Sequence, residues 1–85
     1  MNMARRSINT IASEIERDWT QEKVNYAARP YLDAMYSLGN IEDKYFNDSG
    51  RSVVAYFLSN ATTWKGEVAR RIKKELNLML KECRR

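Results

Sequence analysis

From Ser49 to Cys83 the apolar positions Val54, Phe57, Leu58, Ala61, Trp64, Val68, Ile72, Leu76, Met79 and Cys83 recur at steps of three or four, with one step of one. That spacing keeps them on one face of a 3.6-residue helix. The pattern predicts a single long amphipathic helix over 49–83, with a polar and mostly basic face opposite the stripe. The β-branched and aromatic run from Val53 to Leu58 stays in the same helical phase on both sides, so no strand competes with it.

Three shorter elements precede it. Ser7 is placed to cap a first helix over 7–19, in which Ile8, Ile11, Ala12, Ile15 and Trp19 share a face. Thr20, with Glu22 in the turn that follows, is placed to cap a second helix over 21–38, whose stripe is Val24, Ala28, Tyr31, Leu32, Met35 and Leu38. Pro30 interrupts that stripe and would clash with the carbonyl of Tyr26 inside a helix. Either the helix kinks there or it begins there after a looser turn; the unbroken apolar phase favours the kink. Gly39 is placed to end it in a left-handed conformation. Asn40 and Asp43 resemble a capping box for a short helix over 41–46 that turns Ile41, Tyr45 and Phe46 inward. Asn47-Asp48-Ser49-Gly50 reads as a turn, with Asp48 or Ser49 capping the long helix. The expectation is an all-α fold, one small helical domain of three to four helices with a long C-terminal amphipathic helix.

At 85 residues the chain is near the lower size limit for a domain that folds without staples, so a homo-oligomer is expected. A single cysteine, Cys83, excludes an intramolecular disulfide, and there is no histidine to act as a base or bind a metal. No cofactor is expected. The start of the chain has basic residues without an apolar run behind them, and no stretch approaches membrane-spanning length. A cytoplasmic, membrane-free protein follows, in which Asn47-Asp48-Ser49 and Asn60-Ala61-Thr62 match the glycosylation pattern by chance.

Charge changes the picture at the C-terminal end. Residues 65–85 hold eight Lys or Arg against three Glu, whereas residues 1–64 hold seven against eight acids. Such a concentration favours an anionic partner. Arg70, Lys74, Lys81 and Arg85 fall along one line of the helix, with Arg71 and Lys73 flanking. A solvated face, supported by a Glu67–Arg71 pair one turn apart, explains them; phosphate binding explains them equally.

The segment 59–67 is the oddest part of the long helix. Asn60, Thr62 and Thr63 are weak helix formers, and Gly66 costs about 1 kcal/mol relative to alanine. Gly66 admits a close helix neighbour or a bend, or else Asn60, Thr63 and Lys65 form a polar notch for a ligand. Of the five tyrosines, Tyr31 and Tyr56 fall near the apolar stripes and are expected in the core. Tyr26 and Tyr36 fall nearer the edges and, with Arg29 and Arg51, would make an aromatic–cationic surface suited to nucleotides. The candidate ligand-binding residues are therefore Tyr26, Arg29, Tyr36, Arg51, Asn60, Lys65, Arg70, Arg71 and Lys74. Catalysis finds little footing. Cys83 reads as a small buried hydrophobe, and Glu42, Asp43 and Asp48 as turn and cap residues.

Tyr31-Leu-Asp-Ala-Met35, Asp48-Ser49, the run from Val53 to Ala61, Thr63-Trp-Lys-Gly-Glu67, Val68-Ala-Arg-Arg71 and Lys74-Glu-Leu76 resemble a group of short phage and prophage proteins found mostly in gut Firmicutes. The likeness covers about 25–80, is most specific around Trp64-Lys65-Gly66-Glu67, and implies a mobile-element setting without a mechanism. In layout the chain is also similar to helical phage sponges, which hold nucleotide signals of host defence between subunits. The function this implies is non-enzymatic anti-defence binding of an anionic nucleotide signal in the host cytoplasm. Two alternatives stand beside it: direct inhibition of a CRISPR-type nucleoprotein effector or another host defence protein, and a small DNA- or RNA-binding regulator. Against DNA reading, the long helix opens on Val53-Val-Ala-Tyr-Phe57, where base-reading polar residues would be needed.

Overall fold

The Ser7 hydroxyl accepts a hydrogen bond from the Thr10 amide and starts α1, Ile8–Asp18. The computed structural model describes residues 6–20, 23–45 and 48–82. Within them the chain forms α1, then α2 (Arg29–Met35), a two-residue hairpin of β1 (Lys44–Tyr45) and β2 (Asp48–Ser49), α3 (Gly50–Asn60) and α4 (Glu67–Glu82). The fold is all-α but for that hairpin. Ile8, Ile11, Ala12 and Ile15 of α1 are buried, packed with Leu32 and Met35 of α2, Val53, Val54 and Phe57 of α3, and Ile72 and Leu76 of α4.

The second helix is shorter than its apolar stripe predicts. It begins at Arg29, with Pro30 in its first turn, where a proline loses no helical hydrogen bond. The stretch before it is a set of turns around Asn25. Its side-chain oxygen accepts from the Ala28 amide at 2.9 Å, and its amide donates to the Asn60 carbonyl at 3.0 Å. The apolar phase runs through because Val24 and Ala28 are buried from turns as well as they would be from a helix.

The end of α2 completes the start of α1. The Ile8 and Asn9 amides, which no helix of their own can satisfy, donate to the carbonyls of Gly39 and Leu38. Gly39 is not left-handed; among the described glycines only Gly66 has a positive φ. Asp43 Oδ2 accepts from the Gly39 and Asn40 amides at 2.7 and 3.1 Å, and Asn40 Oδ1 accepts from the Glu42 amide. The capping box is thus present in part, but an extended hairpin follows it in place of a helix, with Lys44 paired to Ser49 and Tyr45 to Asp48. Ile41 is buried as expected; the inward turn of Tyr45 and Phe46 concerns side chains outside the described residues. Gly50 lies under this turn, where a Cβ would sit 2.7 Å from the Ile41 carbonyl oxygen. Ser49 caps α3 by accepting from the Ser52 amide.

The long helix is two helices. Thirty-five helical residues would extend roughly 50 Å, longer than the 34 Å greatest extent of the molecule. The chain leaves α3 at Ala61, turns through Thr62 and Thr63, and re-enters helix after Gly66, whose φ is 113° and whose carbonyl accepts the first helical bond of α4 from Arg70. Arg51 and Ala55 near the start of α3 share a groove with Asn77, Leu80 and Lys81 near the end of α4, so the two helices form an antiparallel hairpin. The stripe below the basic face is covered by α1, which packs against α4; a second subunit is not needed to bury Leu76 and Met79. Ala69 is buried where Val68 was expected, and Val68 packs at the edge. Cys83 lies outside the described residues. Tyr56 is 54% exposed and pairs with the half-buried Tyr31, ring centroids 5.5 Å apart, instead of entering the core.

Ahead of α1, Arg6 ties three segments together. Its guanidinium makes a two-point bond to Glu75 at 2.7 and 3.0 Å and a third to Glu14 at 2.7 Å, while Arg71 also pairs with Glu14. Arg71 is therefore drawn to α1, away from the Glu67 pairing its sequence position suggests. The hydrogen bond from Arg71, followed by that from Arg6, holds the Glu14 carboxyl below its ordinary 4.5. A depressed native value means this stabilisation is complete above that pH and is lost as pH falls through the native value. In Arg6→Ala, urea midpoints measured between about pH 3 and pH 7 should show a smaller loss on acidification than in the parent. An unchanged acid limb would mean that the network does not contribute to it.

Candidate basic recess

The break between α3 and α4 turns Trp64 inward. Its ring is 2% exposed, stacks on Trp19 at 5.6 Å and 11°, and meets Phe57 edge-on at 6.4 Å. The indole Nε1 donates to Asp18 Oδ2 at 2.9 Å, and the Trp64 carbonyl accepts from Lys73 Nζ at 2.7 Å. One residue thus anchors the loop to α1 and to α4. The next, Lys65, is left on the surface.

A recess of about 250 Å³ opens at this corner, lined by Trp64, Lys65, Gly66, Ala69, Arg70 and Lys73. Three cations therefore line it, and no carboxylate does. Among the described residues no acid pairs with Lys65, Arg70 or Lys73. Lys73 also lies 5.8 Å from the centre of the Trp64 ring. Burial, and then the like charge of Lys65, push its ammonium below the usual lysine value. An electropositive recess with its charge uncompensated can hold an anion.

Against the same loop, a second recess of about 430 Å³ is lined by Asp18, Trp19, Lys23, Thr63, Trp64 and Lys65. It shares Trp64 and Lys65 with the first. Further off, the α3–α4 groove with Arg51 and Lys81 encloses about 570 Å³.

The structure gathers only part of the expected site. Lys65 and Arg70 come together. Asn60 ends α3 nearby, with its side-chain amide donating to the Tyr56 carbonyl, but it lines neither recess. Lys74 lies on the outer face of α4 and Arg71 is bound to Glu14. Arg51 lines the separate groove. Arg29 pairs with Asp33 at 2.7 Å and with Glu16 at 3.2 Å, and the Tyr36 hydroxyl donates to Glu16 at 2.7 Å. These contacts, led by the Asp33 hydrogen bond, raise the Arg29 pKa; burial and then Glu16 raise that of Tyr36. One Arg29 nitrogen, Nη1, is buried without a partner among the described residues. Tyr26 is 94% exposed and lines none of the three recesses. The aromatic–cationic set of Tyr26, Tyr36, Arg29 and Arg51 is thus not assembled around one recess in a single chain.

Lys73 reads in the sequence only as a flank of the basic line, and Asp18 and Lys23 carry no signal there. The place of Lys73 one turn after Arg70 is legible in the sequence; that Trp64 and Lys65 fold back over it follows only from the break before Gly66. No described group of three His, Cys, Asp or Glu could hold a metal ion, and no described helix is long and apolar enough to cross a membrane. No protein-family model matches the chain, and neither curated proteins nor solved structures return a match.

Proposed function

We propose that this chain is a non-enzymatic binding protein that takes the phosphate of a nucleotide-type ligand in the Lys65–Arg70–Lys73 recess. The observation that carries this reading is the contrast between two kinds of cation. Arg6, Arg29 and Arg71 are committed to carboxylates, whereas the three recess cations face one space with no acid in its lining. Uncompensated positive charge around a concave, Trp-backed corner suits a phosphate better than it suits stability.

In the mobile-element setting that the sequence resembles, sequestering a nucleotide signal of host defence is the role such a site serves, in the host cytoplasm. Assembly into a homo-oligomer belongs to the same proposal; exposed Tyr26, Tyr56 and Leu78 offer apolar surface for it. One observation favours a second reading. Arg70, Lys74 and Lys81 fall in line across the twelve residues 70–81, roughly 16 Å of α4, which suits a nucleic-acid backbone.

Melting curves separate the two. Cyclic dinucleotides or ADP-ribose at a hundred times their Kd should raise Tm by about 15 °C in a domain of this size. Lys65→Ala with Arg70→Ala, both surface changes, should weaken that binding about tenfold or more without lowering the ligand-free Tm appreciably. Salt-sensitive retardation of random duplex DNA with no nucleotide response would overturn the nucleotide reading in favour of the second.

A further inference from the structure

The second recess, which shares Trp64 and Lys65 with the cationic one, is chemically different from it. It contains a carboxylate, Asp18, a hydroxyl, Thr63, and one further cation, Lys23, beside the shared Lys65. Asp18 is not spent by its bond to Trp64. A carboxylate offers about four lone-pair sites, and one site on Oδ2 is used. The bond fixes the carboxylate's position while leaving Oδ1 to accept from something else. A carboxylate next to a phosphate site repels a second phosphate and accepts from hydroxyl groups, which is how acidic side chains select ribose over simple anions.

We propose that the two recesses form one bipartite site for a ribose phosphate. The phosphate lies among Lys65, Arg70 and Lys73, and the vicinal hydroxyls lie against Asp18 and Thr63. Lys65, common to both linings, bridges the halves. This rests on the phosphate reading above and adds the class of ligand: a phosphorylated sugar with a free cis-diol, as opposed to a deoxy sugar or a bare phosphate. Trp64, buried between the recesses, holds Asp18 through Nε1 and Lys73 through its carbonyl, so one residue sets the position of both halves.

Calorimetric titration of the full chain with ribose 5-phosphate, 2-deoxyribose 5-phosphate and inorganic phosphate tests this. Ribose 5-phosphate should bind about tenfold more tightly than the deoxy sugar, the worth of a hydrogen bond to a charged acceptor. Asp18→Asn keeps an oxygen for the Trp64 indole and should erase that difference while leaving inorganic phosphate bound as well or better. Thr63→Val, at an exposed loop position, should reduce the difference in part. If ribose and deoxyribose phosphates bind alike to the parent chain, the diol half is wrong although the phosphate half stands. If none of the three binds, both are wrong.

Discussion

Trp64→Ala should cost about 3–5 kcal/mol of stability, the range for emptying a buried Trp or Phe position. A domain of this length holds about 4–13 kcal/mol in total, so the variant is expected to be marginal or unfolded at 37 °C. The ring is stacked on Trp19 and edge-on to Phe57, and nothing adjacent can collapse into the space, because Trp19 and Phe57 themselves meet edge-on at 6.3 Å. Trp64→Phe keeps part of the stack and loses the Asp18 bond, and should cost less. Urea denaturation followed by far-UV circular dichroism measures both. A midpoint for Trp64→Ala within error of the parent would mean that the α3–α4 loop is not anchored in this way.

Gly66→Ala should destabilise by about 1–3 kcal/mol, the cost of a backbone conformation that L residues avoid. The sign decides the architecture. In one continuous helix over 49–83 the same substitution would stabilise by about 1 kcal/mol. A Cβ at Gly66 would meet no atom within 4 Å, so crowding does not enter and the effect reports φ alone. D-alanine, introduced by chemical synthesis, prefers positive φ and should be tolerated or mildly stabilising. Stabilisation by the L residue together with loss from the D residue would restore the single helix.

The contrast shows why this stretch was hard to read. Ala61 and Trp64 keep helical phase into the break, because a tight loop and a helix can bury the same positions; past it the buried position moves from Val68 to Ala69. What distinguishes them is the tertiary gain at Trp64, and periodicity carries no information about a partner on α1. Pro30 misled in the same way: Val24 and Ala28 face the core from turns, and Asn25, with no apolar signal of its own, organises those turns. Signals that act within four residues were legible. Ser7 and Ser49 cap where their positions require, and Asp43 reaches back to the Asn40 amide. The odd composition of 59–67 did mark the corner where the proposed site lies, since Thr63 and Lys65 line its recesses. Asp18 was not legible there, because only the packing of the α3–α4 loop on α1 brings it to the corner, and Lys73 reaches it because the break at Gly66 folds the Trp64 carbonyl back over α4.

On the proposed reading the uncompensated recess, and not the length of α4, holds the anion. Titrating a 15N-labelled sample with ADP-ribose while following backbone amides and the Trp64 indole tests this most directly. The account predicts saturable shifts concentrated at Lys65, Gly66, Arg70, Lys73 and the Trp64 Nε1–H, which vanish in the Lys65→Ala, Arg70→Ala double variant. Shifts spread along Arg70, Lys74 and Lys81 of the outer face, or no saturable shift at the corner, would contradict it.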